Sequence, residues 1–555
     1  MIGKRSTQLG SLLAVAMLVA PLAADEPAEV RPDGRIAPIL ENLGDHHHAI
    51  TTSVRQAQQF FDQGLRLAYG FNHAEAIRAF REAARLDPQC AMAYWGHALA
   101  LGPNINAAMT PEAGEEAYAV LQKAIACQDH VTQQERDYIA ALAARYSSNA
   151  EADRAALDAA YADAMRELSK KYPDDLDAAT LFAEALMDVS PWDYWTRDGM
   201  PKYHAEEIVR TLERVIEANP NHPGALHYYI HAVEASKTPE RALAAADRLG
   251  SVAPGAGHLV HMPAHIYIRV GRYAQASQAN VLAIAADDDY ITQCRSQGLY
   301  AVAYHPHNIH FLWAAATLEG RSEVAIQAAN DLAGKVNREM LSDPMMGTLH
   351  LFYATPLFAL VRFGHWDAIM ESPQPDEELI FHRGVWHYAR GVAQLRKGHL
   401  EAAARELDQI EKLSGQPELE TLKIFEGNSL GSVLAIARHV LAGELAAAQG
   451  NTEEAVALLS TAVRLDDGLR YNEPHDWHHP PRHILGAVLL EAGRAAEAET
   501  VYWADLDRNR ENGWALFGLW QSLIAQENTA DAADAKRRFQ KAWAAADVEL
   551  TSSRF

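Results

Sequence analysis

The chain has 555 residues and a mass of 61.1 kDa, too long for one ordinary core and long enough for about three or four domains or one extended array. Its 49 basic against 73 acidic side chains leave a net charge of −24, which argues against wrapping nucleic acid or lying on an anionic membrane. Three cysteines exclude a disulfide scaffold and a four-thiolate zinc cluster, and the abundance that asks for an explanation is histidine, at 26.

In chain order, Lys4 and Arg5 precede an apolar run from Leu9 to Leu22, closed by Ala23, Ala24 and Asp25. A basic start, a short hydrophobic stretch and a small-residue exit form a secretory signal over residues 1–24. The run is too short for a comfortable membrane span, and no later segment reaches about 18 uncharged apolar residues. The expectation is a periplasmic or secreted protein with no transmembrane helix in the mature chain. Residues 25–49, with Pro27, Pro32, Gly34 and Pro38, read as a loose leader, and His46-His47-His48 as a polar stretch in preference to a metal-catching arm. Cys90 and Cys127 lie about one repeat apart, as one disulfide or as two free thiols.

From residue 50 the pattern is helical and repetitive. In residues 58–88, Gly64, Ala76, Phe80, Ala83 and Pro88 fall where a tetratricopeptide repeat places glycine, alanine, an aromatic, alanine and proline, at repeat positions 8, 20, 24, 27 and 32. Small residues let paired helices approach closely, and proline ends the second helix. A reduced signature, glycine at position 15 and alanine at 20, recurs at Gly271/Ala276, Gly320/Ala325, Gly398/Ala403, Gly450/Ala455 and Gly493/Ala498, with Gly364/Ile369 as a degenerate copy. Tyr172-Pro173 and Asn219-Pro220 mark further helix ends. The spacings leave long insertions over Ser190–Tyr203, Ala286–Pro306, Ser372–Glu378 and Arg470–Pro481. The chain resembles the tetratricopeptide-repeat family. The predicted fold is an all-α, right-handed solenoid of helix pairs with long loop insertions, each pair burying its apolar face only against its neighbours. Residues 50–371 carry the N-terminal and central repeats, 372–547 the C-terminal repeats, and 548–555 form a tail.

Counting back from position 15 places the histidines. His258, His261 and His265 occupy positions 2, 5 and 9 of the Gly271 repeat; His307, His310 and Ala314 occupy those of the Gly320 repeat. With Ala242 at position 20, the preceding repeat has Gly224, His227 and His231 there. Spacings of three and four share one helical face, and the family resemblance implies that these positions face a concave groove. One repeat earlier, Glu184 and Asp188 fall on the same face, and Glu234 follows His231 by three. Histidines at i and i+4 on a helix can share one metal ion, and imidazole with carboxylate suits Zn, Cu, Fe or Mn. The candidate metal ligands are His227, His231, His261, His265, His310 and Glu184, with His258, His307, Asp188, Glu234, Trp192 and Trp195 lining the ligand groove. The same histidines without metal would bind an anion, work as acid and base, or line a peptide groove. Pro263 between His261 and His265 argues for a helix starting near Met262, which would leave His258 and His261 in a lead-in loop.

The segment from Asn472 to His483 carries His475, His478, His479 and His483, either a second small site or a rigid loop. Trp192, Tyr194 and Trp195 form an aromatic insertion that stacks on a flat ligand or, in the preferred reading, seals the interior; Phe311 and Trp313 read as packing between helices. No GxSxG elbow, P-loop or dinucleotide fingerprint is present. The strings at 62–88, 190–201, 227–242 and 257–276 resemble a group of secreted bacterial tetratricopeptide-repeat proteins of unsettled activity. The motifs Val260-His261-x-x-Ala264-His265-Ile266 and His307-Asn308-Ile309-His310 are similar, more faintly, to the family of tetratricopeptide repeat protein 38. The leading expectation is a periplasmic repeat protein binding a transition metal or metal-bound small ligand in this groove. The alternatives are a metal-free peptide- or protein-binding scaffold, and a metal-dependent hydrolase or oxidoreductase using Glu184 or Glu234 as proton acceptor.

Overall fold

The computed structural model describes residues 34–555 apart from 150, 295–299, 426 and 478; the predicted signal segment and His478 lie outside the described residues. The chain is an all-α solenoid of tetratricopeptide-like helix pairs, beginning with Arg55–Tyr69 and His73–Leu86 and ending with Gly513–Ala525 and Thr529–Ala542. The one sheet among the described residues is a two-residue hairpin pairing, Lys423–Ile424 with Asn428–Ser429.

The glycine signature is the hinge of each pair. Gly271, Gly320, Gly364, Gly398, Gly450 and Gly493 all adopt left-handed backbone, φ between +71° and +82°. The next residue's N–H then returns to a carbonyl five residues back, as in Arg272 N to Tyr267 O (2.8 Å) and Arg321 N to Ala316 O (3.0 Å), the Schellman closure that left-handed glycine permits. The first pair closes identically, Asn72 N to Leu67 O at 2.9 Å, but its left-handed residue is Phe71, at φ +56°.

Three expectations are corrected. Ala286–Pro306 is not a plain loop: Tyr273–Cys294 continues as helix, and Tyr300–Tyr304 forms a π-helical turn into His305–Glu319. There Asp287 is fixed inside by Tyr300 Oη and Asn308 Nδ2, both at 2.7 Å. The described part of the leader is irregular but not loose, because Ile36 N donates to Glu82, Leu40 N to Gln63, and the Arg66 side chain to His46 O. The last residues are not a free tail: Ser553 Oγ donates to His483 O at 2.6 Å, and Arg554 pairs with Glu444 and Glu491.

The apolar core falls into two clusters that meet at the helix His305–Glu319, with Ser372–Pro375 inside the span of the second. The helix Leu430–Ala448 is long and apolar enough to cross a membrane by length and composition. It packs here between Ile380–Arg396 and Thr452–Gly468, and its Glu444 is held by Arg396 at 2.8 Å. Cys90 and Cys127 are free thiols.

The array curls until its last turns touch its middle. Tyr273 Oη donates to Arg510 O (2.7 Å), Trp514 Nε1 to Thr317 O (2.9 Å), and Ser322 N to Asp547 (2.6 Å). The predicted concave groove is a cavity of about 1980 Å³ walled by the central repeats and by the 190–203, 337–346 and 466–476 segments.

Candidate metal centre

The floor of this cavity carries His231, His258, His265 and His307, with Glu234 and Glu473 beside them. His227, His231 and Glu234 come from one face of the helix Pro223–Glu234, which opens with proline at its first turn and is capped by the His222 side chain accepting from Ala225 N. Pro263 splits the next first helix into Gly257–His261 and Pro263–Arg269. Met262 between them stays in right-handed helical backbone, φ −50° and ψ −35°. His258 and His261 are thus helical, not in a lead-in loop, and His261 and His265 still share a face.

Two groups of three donors result, each with ligand atoms within 4.8 Å of one another: His227, His231 and His258, and His261, His265 and His307. Their orientation follows from the nitrogens turned away from the centres. His227 Nδ1 donates to Tyr69 O at 2.6 Å, and His231 Nδ1 to Glu234 Oε1 at 2.7 Å. His261 Nδ1 donates to Asn280 Oδ1 at 2.7 Å, the Asn280 amide being committed to Ala276 O. His265 Nδ1 donates to Glu234 Oε2 at 2.6 Å. Each Nδ1 faces an acceptor, so each Nε2 of the neutral ring presents a lone pair inward. Outward N–H groups given to carboxylate or carbonyl are what fixes metal-binding imidazoles.

The inward nitrogens crowd together. His261 Nε2 lies 2.9 Å from His265 Nε2, and His258 Nε2 lies 3.1 Å from His227 Nε2. In the first of these contacts both Nδ1 atoms are already donors, so two lone pairs face each other unless a proton or a cation stands between. His231 Nε2 is buried with no hydrogen-bond partner. Burial pushes His227, His258, His261 and His307 well below the usual imidazole range, with neighbouring histidines adding to it, and lowers His231. Burial also opposes charge on His265, but the Glu234 carboxylate outweighs it and raises that group. Glu234 is itself held well below the carboxylate range despite its burial, chiefly by His265 and His231. Five neutral imidazoles beside an ionised carboxylate are the protonation states a metal ion requires, and at His265 the ion would take the place of the proton that Glu234 favours.

Aromatic rings pack the two groups. Phe71 lies 4.5, 5.9 and 5.6 Å from the rings of His227, His231 and His258. Phe311 lies 4.9, 4.8 and 5.6 Å from His261, His265 and His307, so it lines the site and does not merely pack helices. Trp192, 36% exposed, meets His231 edge-on at 5.1 Å, and Trp195 Nε1 donates to Ala232 O; the 190–203 insertion thus covers one side of the first group. Phe71, Trp192 and Phe425, which meets His307 at 5.8 Å, all have positive φ. For bulky side chains this is a strained conformation of the kind that gathers at functional sites.

Two proposed ligands stand elsewhere. His310 stacks on Trp313 and Phe352, at 5.4 and 4.9 Å, where burial lowers it to about 3. Glu184 shares a buried pocket with Asp188 and Arg145, where burial and then Asp188 raise it, and Arg145 Nη2 holds Asp188 at 2.5 Å. Neither belongs to a three-donor group; His258 and His307 take those places. His46, His48 and His222 converge on Asp177 at 2.9, 2.8 and 3.2 Å, with Tyr69 Oη at 2.5 Å. His222 Nδ1 accepts from Ala225 N, so its Nε2 carries the proton, and this centre is a hydrogen-bond hub that straps the leader down. His483 is likewise satisfied structurally, between Arg362 and Asp505.

Sequence reading missed Tyr69, Asn280 and Phe71. Two of them carried a signal: Phe71 is an aromatic at position 15, where six later repeats have glycine, and Asn280 stands at position 24, where the first repeat has Phe80.

No family model and no curated protein matches the chain. Among solved structures it is similar to the human IFIT1 dimer with m7Gppp-AAAA (11% identity, 89% of this chain and 91% of that one, TM-score 0.31). It is also similar to the APC/C hetero-tetramer Cut9-Hcn1 (12%, 89% and 78%, 0.31) and to yeast Tom70 (12%, 87% and 92%, 0.28). At scores this low none of them bears on the account of the site.

Proposed function

We propose that this is an exported repeat protein that binds transition-metal ions on the floor of its internal cavity, through imidazoles of consecutive helix pairs. The observation that carries the reading is the set of four histidines whose Nδ1–H groups are all anchored outward, which leaves His261 Nε2 and His265 Nε2 facing each other at 2.9 Å. Two neutral rings so anchored oppose lone pairs there, a contact that a shared cation relieves, as a proton held on His265 also does. All-imidazole coordination favours Zn, Cu or Fe over Mg or Ca. The cavity above would admit the ligand that the bound metal presents or polarises.

Elemental analysis of untagged protein tests this. Stoichiometric Zn, Cu, Fe or Mn is expected, and is lost when His231 and His265 are both replaced by alanine. Metal-free protein whose melting temperature ignores added Zn or Cu would overturn it. One observation favours a second reading, a scaffold for an extended peptide. The cavity, about 1980 Å³, exceeds the roughly 300–1000 Å³ typical of small-molecule pockets. The two readings are compatible if the metal anchors one end of such a chain.

A further inference from the structure

The two histidine groups are built to one recipe, one repeat step apart. The first takes positions 5 and 9 of one repeat, His227 and His231, and position 2 of the next, His258. The second takes positions 5 and 9 of that next repeat, His261 and His265, and position 2 of the one after, His307. In each group the two position-5 and position-9 rings are anchored through Nδ1, while the third ring, His258 or His307, has a buried Nδ1 with no hydrogen-bond partner. Each group has one phenylalanine against all three of its rings, Phe71 or Phe311. The recipe stops there: the following repeat has His310 at position 5 but Ala314 at 9, and Leu351 stands at position 2 beyond it.

The groups also touch. His231 and His265 ring centroids are 5.7 Å apart, and those of His258 and His261 are 6.0 Å apart. One fully buried carboxylate serves both, since Glu234 Oε1 takes His231 and Oε2 takes His265. A second buried carboxylate, Glu473, reaches over from the far end of the solenoid to 3.6 Å from His265 Nδ1. Two cations side by side repel each other, and buried positive charge needs buried negative charge close by; Glu234 stands between the groups, with the Glu473 carboxyl beside them.

We infer that the protein binds a pair of transition-metal ions, one in each three-histidine group, with Glu234 as the single carboxylate that orients ligands of both. This rests on the metal-binding reading above and adds to it the number of ions and their shared anchor. The open positions of two neighbouring ions would face one cavity, so the ligand class that fits is a small anion, such as hydroxide or azide.

The test counts ions lost, not ions bound, using the full chain stripped with chelator and dialysed against Zn(II) alone. His227→Ala/His258→Ala should lose one ion relative to the parent, His261→Ala/His307→Ala one, and the four-fold variant two. Glu234→Gln should weaken both ions by about 10–100-fold, the usual effect of removing an outer carboxylate from a ligating imidazole. Asn280→Ala should weaken only the ion of the second group. Melting curves of the chelator-treated variants identify any that misfold, and for those the single changes His258→Ala and His307→Ala replace the doubles. If no variant loses any ion, this inference and the metal-binding reading fail together. If the four-fold variant loses only one ion, the pair is refuted while a single metal site stands; if Glu234→Gln weakens only one of two ions, the shared carboxylate is refuted.

Discussion

Replacing Phe71 separates backbone strain from ring packing at the first histidine group. Its φ of +56° costs a side-chain-bearing residue about 1–2 kcal/mol relative to glycine. Its ring is buried against His227, His231 and His258, and truncating such a ring to alanine costs about 3–5 kcal/mol. Phe71→Ala loses the ring and keeps the strain. Phe71→Gly loses the same ring, relieves the strain, and gives back about 0.5–1 kcal/mol because glycine leaves the unfolded chain more freedom. Phe71→Gly should therefore be more stable than Phe71→Ala by about 1 kcal/mol, the reverse of the order inside a helix, and less stable than the parent by about 2–4 kcal/mol. Urea-dependent amide exchange across residues 58–80, in chelator, reads the local free energy of this first hairpin. Equal stability of the two variants would refute the left-handed assignment, and parental stability of Phe71→Gly would refute the packing of the ring on the histidines.

Removing Arg145, fully buried between Asp188 and Asp158, leaves buried carboxylates without their cation. Arg145→Met should destabilise by about 3–5 kcal/mol, and adding Asp188→Asn should recover part of that loss in a double-mutant cycle; additive losses would disprove the coupling. The leader strap should respond to pH at both ends. Burial opposes charge on His48, but its hydrogen bond to Asp177 raises it, so its contribution is full below about 6.5 and disappears as pH rises through the raised value. Burial likewise opposes ionisation of Asp177, but His222, His46 and His48 hold it well below the carboxylate range, so its contribution is full above about 3.9 and is lost as pH falls through the depressed value. Protection of residues 46–50 against exchange should therefore be greatest between about pH 4 and 6.5. A profile flat from pH 5 to 9, or one unchanged in Asp177→Asn, would contradict this.

What the sequence made legible was whatever is periodic. The glycines at position 15 mark hinges because only a residue without Cβ turns left-handed there freely, and counting from them places His258, His261, His265 and His307 on one wall, as counting from Ala242 places His227 and His231. What it hid was contact between repeats. Asn280 sits on a second helix, at the position 24 that Phe80 fills in the first repeat, where the count gives no partner, and the Tyr69 acceptor is a backbone carbonyl, which has no residue identity to read. Glu473 arrives from 208 positions beyond His265 because the array closes on itself, a consequence of superhelical pitch and not of any local pattern. Pro263 misled in the other direction: proline removes one N–H from the ladder, yet Met262 on its N-terminal side keeps helical angles, so the face survives.

The failure of His310 as a candidate shows where positional counting ends. It occupies position 5 as His227 and His261 do, so helical geometry alone cannot separate the three. The difference is in the neighbours: His227 and His261 each have a histidine four residues on and another at position 2 of the next repeat, whereas His310 has Ala314 and Leu351. The ring of His310 lies stacked on Trp313 and tilted against Phe352, and burial keeps it neutral there. A metal group in a solenoid is thus a property of two adjacent repeats together, and three consecutive repeats with two suitable junctions yield two groups and no third.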